Sequence, residues 1–256
     1  MMIAFLVVVA TAFVILYSLV YCFQKTVFQY RVQSNFASSK NVALVIAHPD
    51  DEVMFFAPTI HNVLKFISVD NFLILSITSG NYNGIGNTRR NELKLCCKEL
   101  CIKEENVLFL EENHFLDDPS HKWDIQQLKL ELEANLKKNN VDMVITFGEY
   151  GVSGHSNHQD THTVIKSLRN VKVFFLEDVN ILRKYSSIFD VLFTCIIAGA
   201  LQSKLVLISS PWEVYKTYCG MKCHQSQFVW FRKLYFLFSR YIMVNQLSTV
   251  HHDKTQ

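Results

Sequence analysis

Short apolar runs alternate with helical segments along this 256-residue chain, and this alternation most limits its fold. The apolar runs read as buried strands, and strands that alternate with helices are typical of a parallel, doubly wound sheet. We therefore predict an α/β, Rossmann-like, mostly parallel sheet flanked by helices. The predicted strands are residues 42–47, 72–78, 107–110, 141–147 and 171–176, and the predicted helices are residues 53–67, 88–101, 124–138 and 158–168.

A polar cluster, His48-Pro49-Asp50-Asp51-Glu52, follows the first predicted strand. An imidazole and three carboxylates within five positions suit a hydrolytic metal centre. His48 and Asp51 would be ligands, and a neighbouring carboxylate would stay free as a base. The alternative is an acidic loop that caps the helix beginning near Glu52.

A second polar cluster, residues 151–162, follows the fourth predicted strand. His155 and His158 are three residues apart and share one face of a helical turn, which His162 could extend. The alternative is that Ser153 or Asn157 caps the helix and leaves the histidines exposed beside it.

The two clusters are expected to meet. In the common strand order 3-2-1-4-5, the first and fourth strands are neighbours, and ligands bind outside their carboxyl ends. His48, Asp51 and one downstream histidine would leave one coordination position open for water, as in catalytic zinc sites.

The first 23 residues carry no charge, and Lys25 is the first charged side chain. This length is close to the roughly 20 residues that cross a bilayer as a helix. A secretory signal peptide, the alternative, would have a basic start and a small-residue cleavage site. We predict a transmembrane anchor at residues 1–24, a juxtamembrane linker at 25–40, a catalytic domain at 41–247 and a C-terminal tail at 248–256.

Composition agrees with a membrane connection, since 50% of residues are hydrophobic and only 19% are charged. The basic residues after the anchor place the rest of the chain in the cytosol. Seven cysteines without C-x-x-C spacing agree with a reducing compartment. The net charge of +2, without a domain-wide basic patch, gives no support for nucleic-acid binding.

Two later apolar stretches raise the same question of membrane contact. Residues 228–244 are strongly aromatic and carry Arg232, Lys233 and Arg240, so they could form an interfacial helix. The alternative is a terminal helix packed in the core. Residues 191–201 are too short to span a bilayer, and we predict a core element there.

The motifs resemble those of the PIG-L family of zinc-dependent de-N-acetylases. The resemblance covers about residues 40 to 247, and its matching stretches are residues 47–52, 86–93, 151–158, 224–227 and 230–232. It implies removal of acetate from N-acetylglucosaminyl-phosphatidylinositol, the second step of glycosylphosphatidylinositol (GPI) anchor synthesis. It also implies a location in the endoplasmic reticulum membrane, with the catalytic domain facing the cytosol.

The resemblance assigns roles to individual residues. His48, Asp51 and His158 would hold zinc or another divalent metal, Asp50 would be the general base, and His155 would stabilise the oxyanion or act as an acid. Arg89 would bind the phosphate of the substrate, because a guanidinium matches phosphate oxygens. The alternative for Arg89 is a solvated helix charge.

One position departs from the family pattern. Many relatives carry an aspartate after the Thr-Phe of the fourth strand, where this chain has Gly148. If that aspartate orients a histidine, Glu149 or Asp160 must replace it, or the site is weakened.

Two other functions remain open at this point: a deacetylase of a different N-acetylglucosamine conjugate, and a non-catalytic membrane scaffold with the same fold. Protein partners are not indicated by the sequence.

Overall fold

The computed structural model describes residues 2–110, 114–118, 120–200 and 204–249. A seven-stranded sheet lies at its centre. Its strands are β1 Val42–Ile46, β2 Phe72–Ser76, β3 Val107–Phe109, β4 Met143–Thr146, β5 Lys172–Leu176, β6 Leu205–Ile208 and β7 Val244–Thr249. Their spatial order is β3-β2-β1-β4-β5-β7-β6. The first five strands are parallel, and β7 pairs antiparallel with β5 and β6, so the predicted mostly parallel sheet is confirmed.

Eleven α-helices occur in the described residues. They are α1 Met2–Phe36, α2 Asp51–Met54, α3 Ala57–Val63, α4 Gly86–Glu99, α5 Ile125–Lys138, α6 Gly151–Gly154, α7 Ser156–Lys166, α8 Ile181–Lys184, α9 Ile188–Ala200, α10 Pro211–Cys223 and α11 Trp230–Phe238. The predicted helix at residues 53–67 is divided into α2 and α3. Pro58 lies in the first turn of α3, where its missing N–H costs nothing.

The pairing of β1 with β4 positions the functional site. Val42 lies opposite Met143 and Ala43 opposite Val144, and every residue of both strands is buried. Because parallel strands end at the same edge of a sheet, the segments after β1 and β4 emerge side by side. The predicted convergence of the two polar clusters therefore follows from strand order.

The N-terminal helix α1 extends beyond the predicted anchor, so the predicted linker at residues 25–40 is helical as far as Phe36. The hydroxyl of Tyr17 donates a hydrogen bond to the Ser209 carbonyl at 2.6 Å, and Val32 and Phe36 lie in the main core. Within the described ranges, no helix is both long enough and apolar enough to cross a membrane. The anchor at residues 1–24 thus stays a prediction.

The prediction of one helix across residues 228–244 is wrong beyond Phe238. Ser239 caps a short 3-10 turn, Arg240–Ile242, by accepting a hydrogen bond from the Tyr241 N–H, and β7 begins at Val244. Arg240 is fully buried and forms an ion pair with Asp190 at 2.6 Å, which draws this part into the core.

Two other boundaries also differ from expectation. The strand β7 continues to Thr249, two residues into the predicted tail, and residues 250–256 lie outside the described part of the chain. The apolar run at 191–201 falls mostly in α9, where Val191 is buried but Phe193 and Ile196 are exposed, so only one face of this helix belongs to the core.

Candidate metal centre and active-site cavity

The turn after β1 directs two adjacent aspartates to different places. Asp50 has φ 111° and ψ −19°, a left-handed conformation that costs a non-glycine residue about 1–3 kcal/mol. Its N–H donates to the Glu52 carboxylate at 2.9 Å, which helps to hold the turn. Asp51 is the first residue of α2, and its Oδ2 accepts the N–H groups of Ala47 and His48.

His48, Asp51 and His158 form the predicted ligand cluster. All three are buried, and one ligand atom from each lies within 4.8 Å of the others. His158 Nδ1 donates to the Gly151 carbonyl at 2.9 Å, which leaves the lone pair on Nε2. That lone pair faces Asp51 Oδ1 at 3.3 Å. Two acceptors this close need a cation or a proton between them, so the donor set fits a divalent metal.

The charges around the cluster also favour a positive charge at this site. Burial raises the pKa of the Asp51 carboxyl, but the charges and hydrogen bonds of His158 and His48 outweigh burial and hold it well below its usual range. Burial lowers the pKa of His48, but hydrogen bonds to Asp117 and Asp51 raise it overall to about 9. The surrounding carboxylates thus attract a cation into this space.

Asp50 lies beside the cluster and outside the ligand set. Its Oδ2 is 2.9 Å from Arg232 Nη2, and its Oδ1 is 3.5 Å from Arg89 Nη2. Burial raises the pKa of Asp50 above its usual value, although both guanidinium groups oppose the shift. A carboxylate with a raised pKa is a stronger base than an ordinary aspartate, which suits a residue that accepts a proton beside a metal site.

Arg89 is buried beneath this turn. Its guanidinium donates to the Pro49 carbonyl at 2.6 Å and to the Gly80 carbonyl at 3.1 Å. The alternative of a solvated helix charge is therefore wrong. These contacts make Arg89 a support for Asp50, and phosphate binding by Arg89 remains a prediction.

His155 caps the N-terminus of α7 with its own ring. Its Nδ1 accepts the Asn157 N–H at 3.2 Å, so neither Ser153 nor Asn157 supplies the cap. Burial, together with the neighbouring His48 and His158, lowers the pKa of His155 to about 4. A neutral ring whose Nδ1 accepts must carry its proton on Nε2, which favours a hydrogen-bond donor to an oxyanion over a charged acid.

His162 does not extend the ligand face. Its Nδ1 lies 3.0 Å from the Phe147 carbonyl, and its ring packs against Phe175 with centroids 4.5 Å apart. It is absent from the ligand groups found among the described residues.

Sequence reasoning missed two residues that contact His48. Asp117 Oδ1 and Asn157 Nδ2 each lie 3.0 Å from its Nε2. Asp117 lies in the loop after β3, at the same edge of the sheet as the two clusters. The rule that sites form at carboxyl ends could have found it.

A second buried group, Glu52, Cys96 and His224, also has ligand atoms within 4.8 Å of one another. His224 Nε2 lies 2.6 Å from Glu52 Oε1. Burial lowers the pKa of His224, but the charge and hydrogen bond of Glu52 raise it overall. The ion pair ties the late stretch 224–227 to the first motif.

Gly148 is required by the position of Asp178. A Cβ at residue 148 would lie 2.3 Å from the Leu176 carbonyl oxygen and 2.5 Å from Asp178 Oδ2. The Asp178 carboxylate accepts the N–H groups of Tyr150 at 2.8 Å and Val152 at 2.7 Å. It thereby holds the loop that presents the Gly151 carbonyl to His158.

The two carboxylates that the sequence suggests as replacements, Glu149 and Asp160, therefore do not occupy this position. Glu149 is exposed, and Asp160 lies 3.5 Å from the Trp123 N–H. Asp178, which begins the segment after β5, occupies the space that a side chain at residue 148 would need.

The cluster opens into a cavity of about 610 Å³. At its inner end lie the metal-centre residues, and at its mouth lie apolar side chains that are partly exposed. The apolar side chains of the mouth are Tyr185, Phe231, Leu234 and Phe238.

Comparison with known proteins identifies the family. The family model described as PIG-L: GlcNAc-PI de-N-acetylase matches residues 43–168. A Bos taurus protein named N-acetylglucosaminyl-phosphatidylinositol de-N-acetylase is 38% identical over 212 residues, which cover 80% of this chain and 81% of that protein. The chain belongs to the PIG-L family. The resemblance of the motifs is therefore confirmed.

Other PIG-L relatives and a solved structure agree. A Dictyostelium discoideum protein named as a probable de-N-acetylase of the same glycolipid is 34% identical and covers 82% of this chain and 93% of its own. The N,N'-diacetylchitobiose deacetylase from Pyrococcus horikoshii has a TM-score of 0.58 at 15% identity, covering 88% of this chain and 89% of its own. That likeness shows the fold.

Proposed function

We propose that this PIG-L family member hydrolyses the acetamide of N-acetylglucosaminyl-phosphatidylinositol and releases acetate, the second step of GPI-anchor biosynthesis. The observation that carries the proposal is the His48, Asp51 and His158 cluster with Asp50 beside it. The names of the Bos taurus and Dictyostelium relatives support the substrate. The complete ligand set argues against a non-catalytic scaffold.

The metal in our proposal is zinc, held by His48, Asp51 and His158. When bound, the ion supplies a Lewis acid that lowers the pKa of a water molecule and polarises the acetamide carbonyl. Asp50 accepts a proton from the attacking water. The Nε2–H of His155 donates to the carbonyl oxygen as negative charge develops there, an effect of a few kcal/mol. The C–N bond then breaks, and the proton held by Asp50 passes to the leaving amine.

We further propose that the protein acts at the endoplasmic reticulum membrane with its catalytic domain in the cytosol. The uncharged segment 1–24 supports an anchor there. A glycolipid substrate, whose acyl chains stay in the bilayer, requires the cavity to open at the membrane surface.

Exposed apolar side chains on α11 and on the segment before α9 support this orientation. On α11, Trp230 is 72% and Leu237 is 62% exposed. The adjoining segment before α9 is joined to α11 by the Ser187 N–H, which donates to the Phe238 carbonyl, and it carries exposed Ile181 and Leu182. Exposed apolar patches of this kind are typical of membrane contact.

Acetate release from synthetic N-acetylglucosaminyl-phosphatidylinositol tests the function, measured with the full chain purified in detergent and loaded with zinc. We expect Asp50→Asn to keep its metal but to lower turnover by about 10²-fold or more, because it removes the base. His158→Ala should lose the metal itself, as measured by elemental analysis.

The control is His162→Gln, a change to a histidine of the same helix that lies outside the cluster, and we expect it to retain metal. No acetate release by the zinc-loaded wild type, or wild-type rates in Asp50→Asn, would refute the proposal.

A further inference from the structure

The cavity changes in character from its inner end to its mouth. The metal-centre residues form the inner end, and the aromatic and aliphatic side chains Phe231, Leu234 and Phe238 form the mouth. Three cationic side chains, Arg89, Lys184 and Arg232, also line the cavity. The cavity thus combines buried carboxylates, cations and an apolar mouth. This combination suits a ligand that has an anionic group between a polar part and an apolar part.

Lys184 is a cation without an ion-pair partner among the described residues. Its Nζ donates to the Val152 carbonyl at 3.1 Å and lies 5.4 Å from the centre of the Tyr185 ring. An ammonium carries three donors, so donors remain for a ligand. Because Lys184 is partly buried, its ammonium group has lost part of its hydration. An anion that takes the place of this water would bind favourably.

Arg232 joins the cavity to the catalytic carboxylate. Its Nη2 contacts Asp50 Oδ2 at 2.9 Å, and its Nη1 donates to the backbone and side-chain oxygens of Gln227, both at 2.8 Å. The hydrogen bonds to Gln227 use two of the five donors of the guanidinium, and the contact with Asp50 is an ion pair. Arg89, in contrast, is fixed by the Pro49 and Gly80 carbonyls deeper in the structure.

We propose that Lys184 and Arg232 form an anion subsite that binds the phosphodiester of the glycolipid substrate. The inference rests on the proposed function, since it assumes that the acetamide lies at the metal centre. In such a substrate the phosphodiester stands between the inositol and the glycerol lipid. A sugar held at Asp50 and acyl chains leaving past Phe231 and Phe238 then place the phosphate beside the two cations.

The test compares two substrates: N-acetylglucosaminyl-phosphatidylinositol and the phosphate-free N-acetylglucosaminyl-inositol, which lacks the phosphate together with its glycerolipid. We expect Lys184→Gln to lower kcat/KM for the phosphorylated substrate, mainly through KM, by about tenfold or more beyond any loss on the phosphate-free substrate. Lys184→Arg should retain most of the activity, because it keeps the charge.

Lys166→Gln is the matched control, since Lys166 is exposed on α7 away from the cavity, and it should behave as wild type with both substrates. A second measurement needs no variant: glycerophosphoinositol should inhibit the wild type more strongly than inositol does.

The outcomes separate the two proposals. No turnover of either substrate by the wild type would refute the function itself. Turnover with an equal loss on both substrates in Lys184→Gln, or no loss on either, would overturn the subsite. Equal inhibition by glycerophosphoinositol and inositol would also overturn it.

Discussion

Two adjacent aspartates, Asp50 and Asp51, take different roles because the backbone turns sharply between them. With φ 111° at Asp50, one carboxylate points to the arginines and the other to His158. In extended backbone, neighbouring side chains point to opposite faces, but here both must reach the same cavity. The left-handed conformation resolves this requirement at a cost of about 1–3 kcal/mol.

Asp178 supports His158 by holding the loop that carries Gly151. A pair of variants distinguishes this role of Asp178 from the role that the sequence suggests for other carboxylates. Asp178→Asn puts an amide where two N–H groups now meet a carboxylate, so the loop that carries Gly151 should shift. We expect metal affinity to fall by about 10–100-fold, as for other outer partners of metal ligands. A competition titration with a chelator measures it.

Asp160→Asn is the control for that comparison, because Asp160 is one of the two carboxylates, with Glu149, that the sequence suggests for this role. It should leave metal affinity unchanged. A loss of affinity in Asp160→Asn, with none in Asp178→Asn, would contradict this account of the site.

At the level of residues, sequence predicted the side chains that sit within local motifs. His48, Asp51 and His158 lie in short polar runs that directly follow apolar strands. Asp117 and Asp178 were missed as site residues, because each lies in a loop without periodicity. Only the order of the strands in the sheet brings these loops next to the site.

At the level of elements, the parallel strands were predictable and β7 was not. The strands β1 to β5 are short, mostly apolar runs, which is the signal of a sheet covered on both faces. The strand β7 contains the buried polar residue Asn245, whose side chain bonds the Thr59 N–H and the Phe55 carbonyl. Because a polar residue such as Asn245 interrupts the apolar run, the sequence of β7 resembles that of a loop.

The contact between α3 and α10 makes stability depend on pH. His61 on α3 lies 3.1 Å from Thr217 Oγ1 on α10, and burial lowers its pKa from 6.5 to about 4. The unfolded chain therefore binds a proton below pH 6.5 that the folded chain refuses until about pH 4. The free energy of unfolding should fall across this window by up to about 3 kcal/mol from His61.

The measurement is urea unfolding of the detergent-solubilised protein at several pH values between 7 and 4. His61→Gln cannot titrate, so its curve should fall less steeply than that of the wild type over the same range. Parallel curves for the two proteins would show that His61 makes no such contribution.

The exposed face of α11 is a further feature that can be tested at the level of elements. Leu237 is exposed and does not line the cavity, so Leu237→Glu tests membrane contact without touching the site. Burying one leucine in the interface contributes about 1.5–3 kcal/mol. We expect turnover of vesicle-embedded substrate to fall about tenfold or more, while a soluble short-chain analogue is turned over normally.

Leu130→Glu on α5 is the matched control, because Leu130 is an equally exposed leucine on another helix. It should not affect either substrate. An equal effect of the two variants on vesicles, or none from Leu237→Glu, would argue against a lipid-facing α11.

At the level of the whole molecule, strand order joins motifs that are about a hundred residues apart in sequence. Because β1 and β4 are neighbours, the turn at His48 and the start of α7 share one edge. The strand-order rule predicts this meeting from the sequence alone. The cavity mouth was less predictable, since it needs α8, α11 and the β5–β7 pairing to be placed in space.

The most direct test of the central claim is the position of the metal, measured by anomalous X-ray scattering at the zinc edge from crystals of the zinc-loaded protein. The account predicts one peak roughly 2.0–2.2 Å from a ring nitrogen of His48, an Asp51 oxygen and His158 Nε2. A peak at Glu52, Cys96 and His224 instead, with none between His48 and His158, would contradict it.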